Sequence, residues 1–177
     1  GASMAVGRPL GRPARALGPD RTLVRAVPTT PSLVNAGMTS VTPNALVTSE
    51  DVADVLNIFR CFGEAEVIAE PMIHPVVGVS GSAPAYVFMF IEAMADAAVL
   101  GGMPRAQAYK FAAQAVMGSA KMVLETGKHP GELKDMECSP GGTTIEAVRV
   151  LEDRGFRSAV IEAMEKCMEK SEKLSKS

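Results

Sequence analysis

Tryptophan is absent from these 177 residues, and the only rings are two Tyr and six Phe. So small an aromatic content excludes an interior or a ligand platform built on stacked rings, and the core must be filled by Ala, Val, Leu and Met. Cysteine is scarce as well. Cys61, Cys138 and Cys167 lie far apart with no C-x-x-C pair and no His/Cys cluster of metal spacing, so neither a disulfide framework nor a zinc site is indicated. A reducing compartment fits such a chain, and the location expected is cytoplasmic. No charge dominates: 18 Lys and Arg stand against 20 Asp and Glu, with a pI near 5.8. That balance gives no general attraction to nucleic acid, and none is expected as a partner. A complete G-x-G-x-x-G phosphate loop is missing too.

What is present is a globular composition, 47% hydrophobic and 21% charged, with eleven Met. The length allows about one domain, or one domain and a fragment of another. Many Ala and Met with few β-branched runs favour close-packed helices. The most apolar stretch, Ala83 to Leu100, carries Glu92 and Asp96 in its second half, which argues against a membrane span and for a buried helix. It is apolar on nearly every face. A chain this short can hardly surround it, so a second copy is expected to complete the burial.

The pattern along the chain divides unevenly. Gly1-Ala2-Ser3 before Met4 reads as a cloning scar. Arg8, Arg12, Arg15, Arg21 and Arg25 follow against the single acid Asp20, a segment compatible with a targeting leader, the stump of a larger domain or a solvated arm. Short strands are expected at Leu23 to Val27, Met38 to Val41 and Ala65 to Ala69. Between the last two, Val52, Val55, Leu56 and Phe59 recur at helical spacing after Thr48 or Ser49 as N-cap, with Gly63 as C-cap. Helices are then expected from Pro84 to Leu100, Pro104 to Glu125, Pro130 to Met136, Thr144 to about Asp153, and from Arg157 onward. The last carries Glu162/Lys166, Glu169/Lys173 and Glu172/Lys176 at i, i+4.

Several groupings could carry chemistry. In Ser139-Pro-Gly-Gly-Thr-Thr144, two glycines allow close backbone approach, and hydroxyls and free N–H groups gather at a helix start. Ser139, Gly141, Gly142, Thr143 and Thr144 could hold a small carboxylate; equally, the turn could be structural, with a Thr capping the next helix. Gly78-Val-Ser-Gly-Ser-Ala-Pro84 approaches G-x-S-x-G, and Ser80, Asp96 and His129 have hydrolase order. However, Ser82 replaces the final glycine and no parallel-sheet strand precedes it. A tight turn with Ser82 capping the next helix is the plainer reading. His74 and His129, each beside a proline, read as turn or capping residues. Glu92 and Asp96 share a helix face and read as partners of backbone or basic groups. The residues mark no catalytic group with certainty and no metal ligand.

Five segments in order resemble pyrroline-5-carboxylate reductase: Leu23-Val-Arg-Ala-Val-Pro-Thr-Thr-Pro31, Gly78-Val-Ser-Gly-Ser-Ala-Pro-Ala-Tyr86, His129-Pro-Gly-Glu-Leu-Lys-Asp135, Ser139-Pro-Gly-Gly-Thr-Thr-Ile145 and Leu151-Glu-Asp-Arg-Gly-Phe-Arg157. The resemblance implies a mainly α chain. A helical dimerisation and substrate-binding domain of five to six helices, residues 49–177, would follow a remnant of an α/β Rossmann domain with short strands, residues 4–48. It implies reduction of the C=N bond of 1-pyrroline-5-carboxylate to L-proline by NADPH or NADH, in a homodimer or a larger assembly of dimers. Gly141 to Thr144 would hold the substrate carboxylate, and Val27, Pro28 and Thr29 would lie beside the nicotinamide. The family's Met-Pro-Asn-Thr-Pro reads Val27-Pro28-Thr29-Thr30-Pro31 here, Val77 and Ala83 stand where the family has Thr and Gly, and Met136-Glu137 replaces an Asn- or Asp-containing pair. Without the glycine fingerprint, the chain alone is expected neither to bind the cofactor in the family's way nor to turn over. The alternative is a non-catalytic dimerisation or amino-acid-binding module derived from that enzyme.

Overall fold

The computed structural model describes residues 2–3, 10–11, 15–16, 18 and 20–176. Arg8 and Arg12 of the basic opening segment lie outside the described residues. Two compact units are present: Gly1–Pro84 with Glu162–Ser177, and Ala85–Ile161.

The first unit holds a four-stranded sheet in the order β1 (Ala2–Ser3), β2 (Val24–Val27), β3 (Gly37–Pro43), β4 (Gly63–Val67). β1 runs parallel to β2, β2 antiparallel to β3, and β3 parallel to β4. Ala2–Ser3, set aside as a scar on sequence grounds, is thus part of the sheet. A parallel pair needs a crossover, and α1 (Ser49–Arg60) supplies it between β3 and β4. Its start is fixed by a reciprocal cap: Thr48 Oγ1 accepts the Asp51 N–H at 3.1 Å, and the Asp51 carboxylate accepts the Thr48 N–H at 3.3 Å. The apolar stripe lands as its spacing predicts, with Phe59, Val55 and Leu56 against Val24, Ala26, Val41 and Ala65. Its C-terminus differs from expectation. The Cys61 and Phe62 N–H groups close on Ile58 and Phe59 carbonyls at 3.2 Å each, so no left-handed cap is needed and Gly63 opens β4 instead.

From residue 70 to residue 100 the chain is almost wholly helical: a 3-10 turn at Glu70–Met72, α2 (Ile73–Val76), a π turn at Val77–Gly81, a bend at Ser82 and α3 (Ala83–Leu100). Ser82 does not cap a new helix at Pro84. Its N–H bonds to Val77 O at 2.8 Å, five residues back, and its Oγ accepts from Cys167 Sγ at 3.2 Å. The cause is Pro84, which has no N–H and whose ring crowds the carbonyl four residues earlier; one wide turn absorbs it without breaking the helix. Gly78 in that turn faces α7 (Phe156–Lys176), where a Cβ would stand 3.2 Å from Met168 Cγ and 3.5 Å from Met164 O.

The second unit contains α4 (Arg105–Thr126), α5 (Pro130–Glu137) and α6 (Thr143–Asp153), with most of α3. Its buried side chains are three alanines, Ala95, Ala108 and Ala112. α3, expected to be buried, is largely exposed in the single chain: Phe88 is 59% and Met89 69% accessible. The run Glu70–Leu100 is long and apolar enough to cross a membrane by length and composition, and 6% of its most apolar window is buried. Asp96 does find a basic partner, Arg105, whose guanidinium also lies 5.6 Å from the Tyr109 ring centroid. On α7, Lys166 bonds Glu169 at 3.0 Å, the i, i+3 neighbour, in place of Glu162.

Thr48→Ala removes one half of the cap and leaves the Asp51 N–H without its acceptor. A loss of about 1 kcal/mol in urea unfolding is expected, and adding Asp51→Ala should cost less than its own single effect because the two bonds are one device.

Candidate functional site

The Gly-rich segment forms the entry to α6. Cys138, half-buried, ends α5, and the chain turns on a bond from Gly142 N to Ser139 O at 3.0 Å. Gly141 sits at φ +66°, in the left-handed region open to glycine. Gly142 is extended, and a Cβ there would collide with Ser139 Oγ. Glycine is therefore favoured at 141 by its conformation, and at 142 a side chain would force Ser139 to shift.

α6 starts at Thr143 with Gly142 as N-cap and no side-chain cap. Neither Thr143 nor Thr144 serves as the capping residue that a purely structural turn would use. Both are exposed in the first turn, beside N–H groups that the helix itself leaves without acceptors. The dipole adds positive potential there. Glu146, in the same turn, is neutralised by Arg149 at 2.8 Å, a hydrogen bond that holds its carboxyl below the usual range. Backbone donors, two hydroxyls and an offset local acid are the requirements for receiving a carboxylate.

At the carboxyl end of β2, Val27 and Thr29 are buried and Pro28 is half-buried. Thr29 Oγ1 accepts the Met38 N–H at 3.0 Å, which fastens the loop to the start of β3. Val27 to Thr29 belong to the first unit and Ser139 to Thr144 to the second.

The other candidates are committed locally. Ser80 Oγ donates to Val76 O at 3.1 Å, Asp96 bonds Arg105, and His129 Nδ1 accepts the Gly131 N–H at 3.0 Å as the N-cap of α5. His129 thus has the capping role its sequence position implied. His74 makes a contact that sequence reading missed, Nδ1 to Ser171 Oγ at 2.8 Å. Also missed was the burial of Arg25, for which a signal existed: a single charge inside an apolar strand. No group of three or more His, Cys, Asp or Glu that could hold a metal ion occurs among the described residues. Between α4 and α5, an apolar recess of about 310 Å³ is lined by Met122, Val123 and Leu133, with Lys134 and Glu137 at its polar positions.

These features define a class, an α/β fragment joined to an apolar helical unit that one copy leaves uncovered. The family described as pyrroline-5-carboxylate reductase dimerisation matches residues 70–174, more than half of the chain, and the chain belongs to that family. It is 86% identical over 175 residues to the pyrroline-5-carboxylate reductase of Escherichia coli (strain K12), and 48% identical over 158 residues to that of Synechocystis. These matches cover 99% and 89% of this chain, but 65% and 59% of the relatives, so the chain spans about two thirds of their length or less. Among solved structures, a pyrroline-5-carboxylate reductase from Coxiella burnetii superimposes with a TM-score of 0.94 at 35% identity, over 99% of this chain and 66% of that one. A pyrroline carboxylate reductase from Plasmodium falciparum, crystallised with NADP bound, gives 0.91 at 33% identity over 98% and 70%.

Gly142→Ala tests the turn. The added methyl should lower the melting temperature by forcing Ser139 to move, and Ser139→Gly in the same chain should recover part of the loss, since the Ser139 carbonyl would still be crowded at 3.2 Å. A Gly142→Ala chain that melts with the wild type would show that the turn relaxes freely.

Proposed function

We propose that the chain is the C-terminal part of a pyrroline-5-carboxylate reductase, an NAD(P)H-dependent oxidoreductase that converts 1-pyrroline-5-carboxylate to L-proline in proline biosynthesis. The observation that carries this is the uncapped start of α6, where glycine-freed N–H groups and the Thr143 and Thr144 hydroxyls stand exposed. There the substrate carboxylate accepts hydrogen bonds from Gly142, Thr143 and Thr144, with Ser139 beside them. When bound, the nicotinamide supplies the hydride for the imine carbon. Val27, Pro28 and Thr29 fit its nicotinamide end, because they occupy the carboxyl end of a strand, where α/β sheets receive such ligands. The pyrophosphate needs a glycine loop that these 177 residues do not contain. The chain alone therefore binds NADPH weakly and is inactive until a dinucleotide-binding half is supplied.

The protein works as a homodimer in the cytoplasm. Support for the dimer comes from the exposed apolar faces of α3 and α4, including Phe88, Met89, Phe111 and Leu124, and from the family's dimerisation description. Support for the compartment comes from three cysteines that are all free thiols. Contiguous apolar surface on this scale marks an interface. Sedimentation at micromolar concentration should give a dimer or a multiple of it; a folded, non-aggregating monomer would overturn this part.

The substrate turn is tested by titrating L-proline into wild type and Thr144→Val. Loss of one bond to a charged group should weaken binding by about 1.5–3 kcal/mol. Melting should hardly change, because Thr144 caps nothing. Equal affinity with a lowered melting temperature would make the turn structural and favour the non-catalytic module.

A further inference from the structure

On the face of the sheet away from α1, three buried polar atoms have no hydrogen-bond partner among the described residues: Arg25 Nε, Ser40 Oγ and Thr42 Oγ1. The register gathers them. Arg25 lies opposite Thr42, and Val27 opposite Ser40, so strand alternation turns all three from the core of Val24, Ala26 and Val41. The Arg25 side chain is 4% exposed, and a guanidinium at that depth requires acceptors for its donors. Glu70 does not satisfy it. Its Oε1 stands 4.0 Å from Arg25 Nη1, well beyond a charge-assisted bond, and already accepts the Leu10 N–H at 2.8 Å.

Beside this open pair is a cavity of about 240 Å³, lined by Arg25, Glu70, Pro71, His74 and Ser175. We propose that it binds a small amino-acid zwitterion, with the carboxylate on the Arg25 guanidinium and the ammonium on Glu70. A net-neutral ligand with both charges is what the walls select. A bare anion would face the Glu70 carboxylate. A bare cation would face Arg25. The imidazole of His74, anchored through Nδ1 to Ser171, offers a further polar contact, the Ser175 hydroxyl donates to Glu172 O at 2.7 Å and leaves its oxygen as an acceptor, and Pro71 gives an apolar wall. The volume lies below that of drug-sized sites, so the amino-acid side chain must be small.

The probe is nuclear magnetic resonance of the 177-residue chain, following the Arg25 Nε–Hε and His74 ring signals during addition of L-alanine, sodium acetate or methylammonium chloride. L-Alanine should move both signals saturably, and acetate and methylammonium should bind about tenfold or more weakly. Glu70→Gln keeps an acceptor for the Leu10 N–H but loses the charge, and should weaken L-alanine by a similar factor. Thr144→Val should leave this titration unchanged, which separates the cavity from the α6 turn. No saturable shift would mean that solvent alone satisfies Arg25; acetate binding as tightly as L-alanine would mean a plain anion site. Either result, an unaffected Glu70→Gln or a weakened Thr144→Val overturns the proposal.

Discussion

The constraint on which the rest depends is that the second unit has no core of its own. Its buried side chains are alanines, while the large apolar residues of α3 and α4 face outward. Alanine contributes little area to the hydrophobic term, which scales with apolar surface removed from water at about 25 cal/mol per Å². Helices that expose Phe and Met on most faces reach a stable state by burying them against another surface. Small residues, Ala95, Ala108 and Ala112, take the buried positions of this unit, and large ones such as Phe88, Met89, Phe111 and Leu124 are left exposed. If a second surface covers these faces, folding of this unit and association become one event and its stability depends on concentration.

The first unit is organised by a different balance. Phe59, Val41 and Ala65 give the sheet and α1 a conventional apolar core on one face. On the opposite face, the buried Arg25 Nε, Ser40 Oγ and Thr42 Oγ1 have no hydrogen-bond partner among the described residues. The energetic asymmetry of hydrogen bonds makes this costly, since an unmade buried bond loses more than a made one gains. Segments that make helix contacts nearby are fastened by specific polar and sulfur contacts: His74 to Ser171, and Cys167 to Ser82.

Much of the fold could be read from the chain because its signals were local. The Thr48/Asp51 cap, the stripe of α1, and the prolines and glycines that bound α4 and α5 all act within a few residues. Misreadings came where two local signals competed or where the cause was distant. Pro84 after a Gly/Ser run predicts a break, yet a π turn carries the helix through, because close packing of Gly78 on α7 favours continuity. Gly63 looked like a cap only because the tight closure at Cys61 and Phe62 leaves no mark in the sequence. Whether a strand residue such as Arg25 meets solvent or a cavity depends on register with β3, which periodicity cannot supply. The α6 turn was legible in residue type and not in its use: the Thr residues lie after the N-cap, and that one-residue offset separates a cap from exposed donors.

The same reasoning bears on Thr29, where the family pattern has Asn. Its hydroxyl oxygen is occupied by the Met38 N–H, and the residue is 8% exposed. The bond shapes the Val27–Thr29 loop through the acceptor side of the hydroxyl. A threonine can hold this backbone bond with a shorter side chain than asparagine, so the departure changes how the loop is fastened. The half-buried Pro28 precedes Thr29 in the same loop. The substitution is thus a change in how this loop is tied to the start of β3.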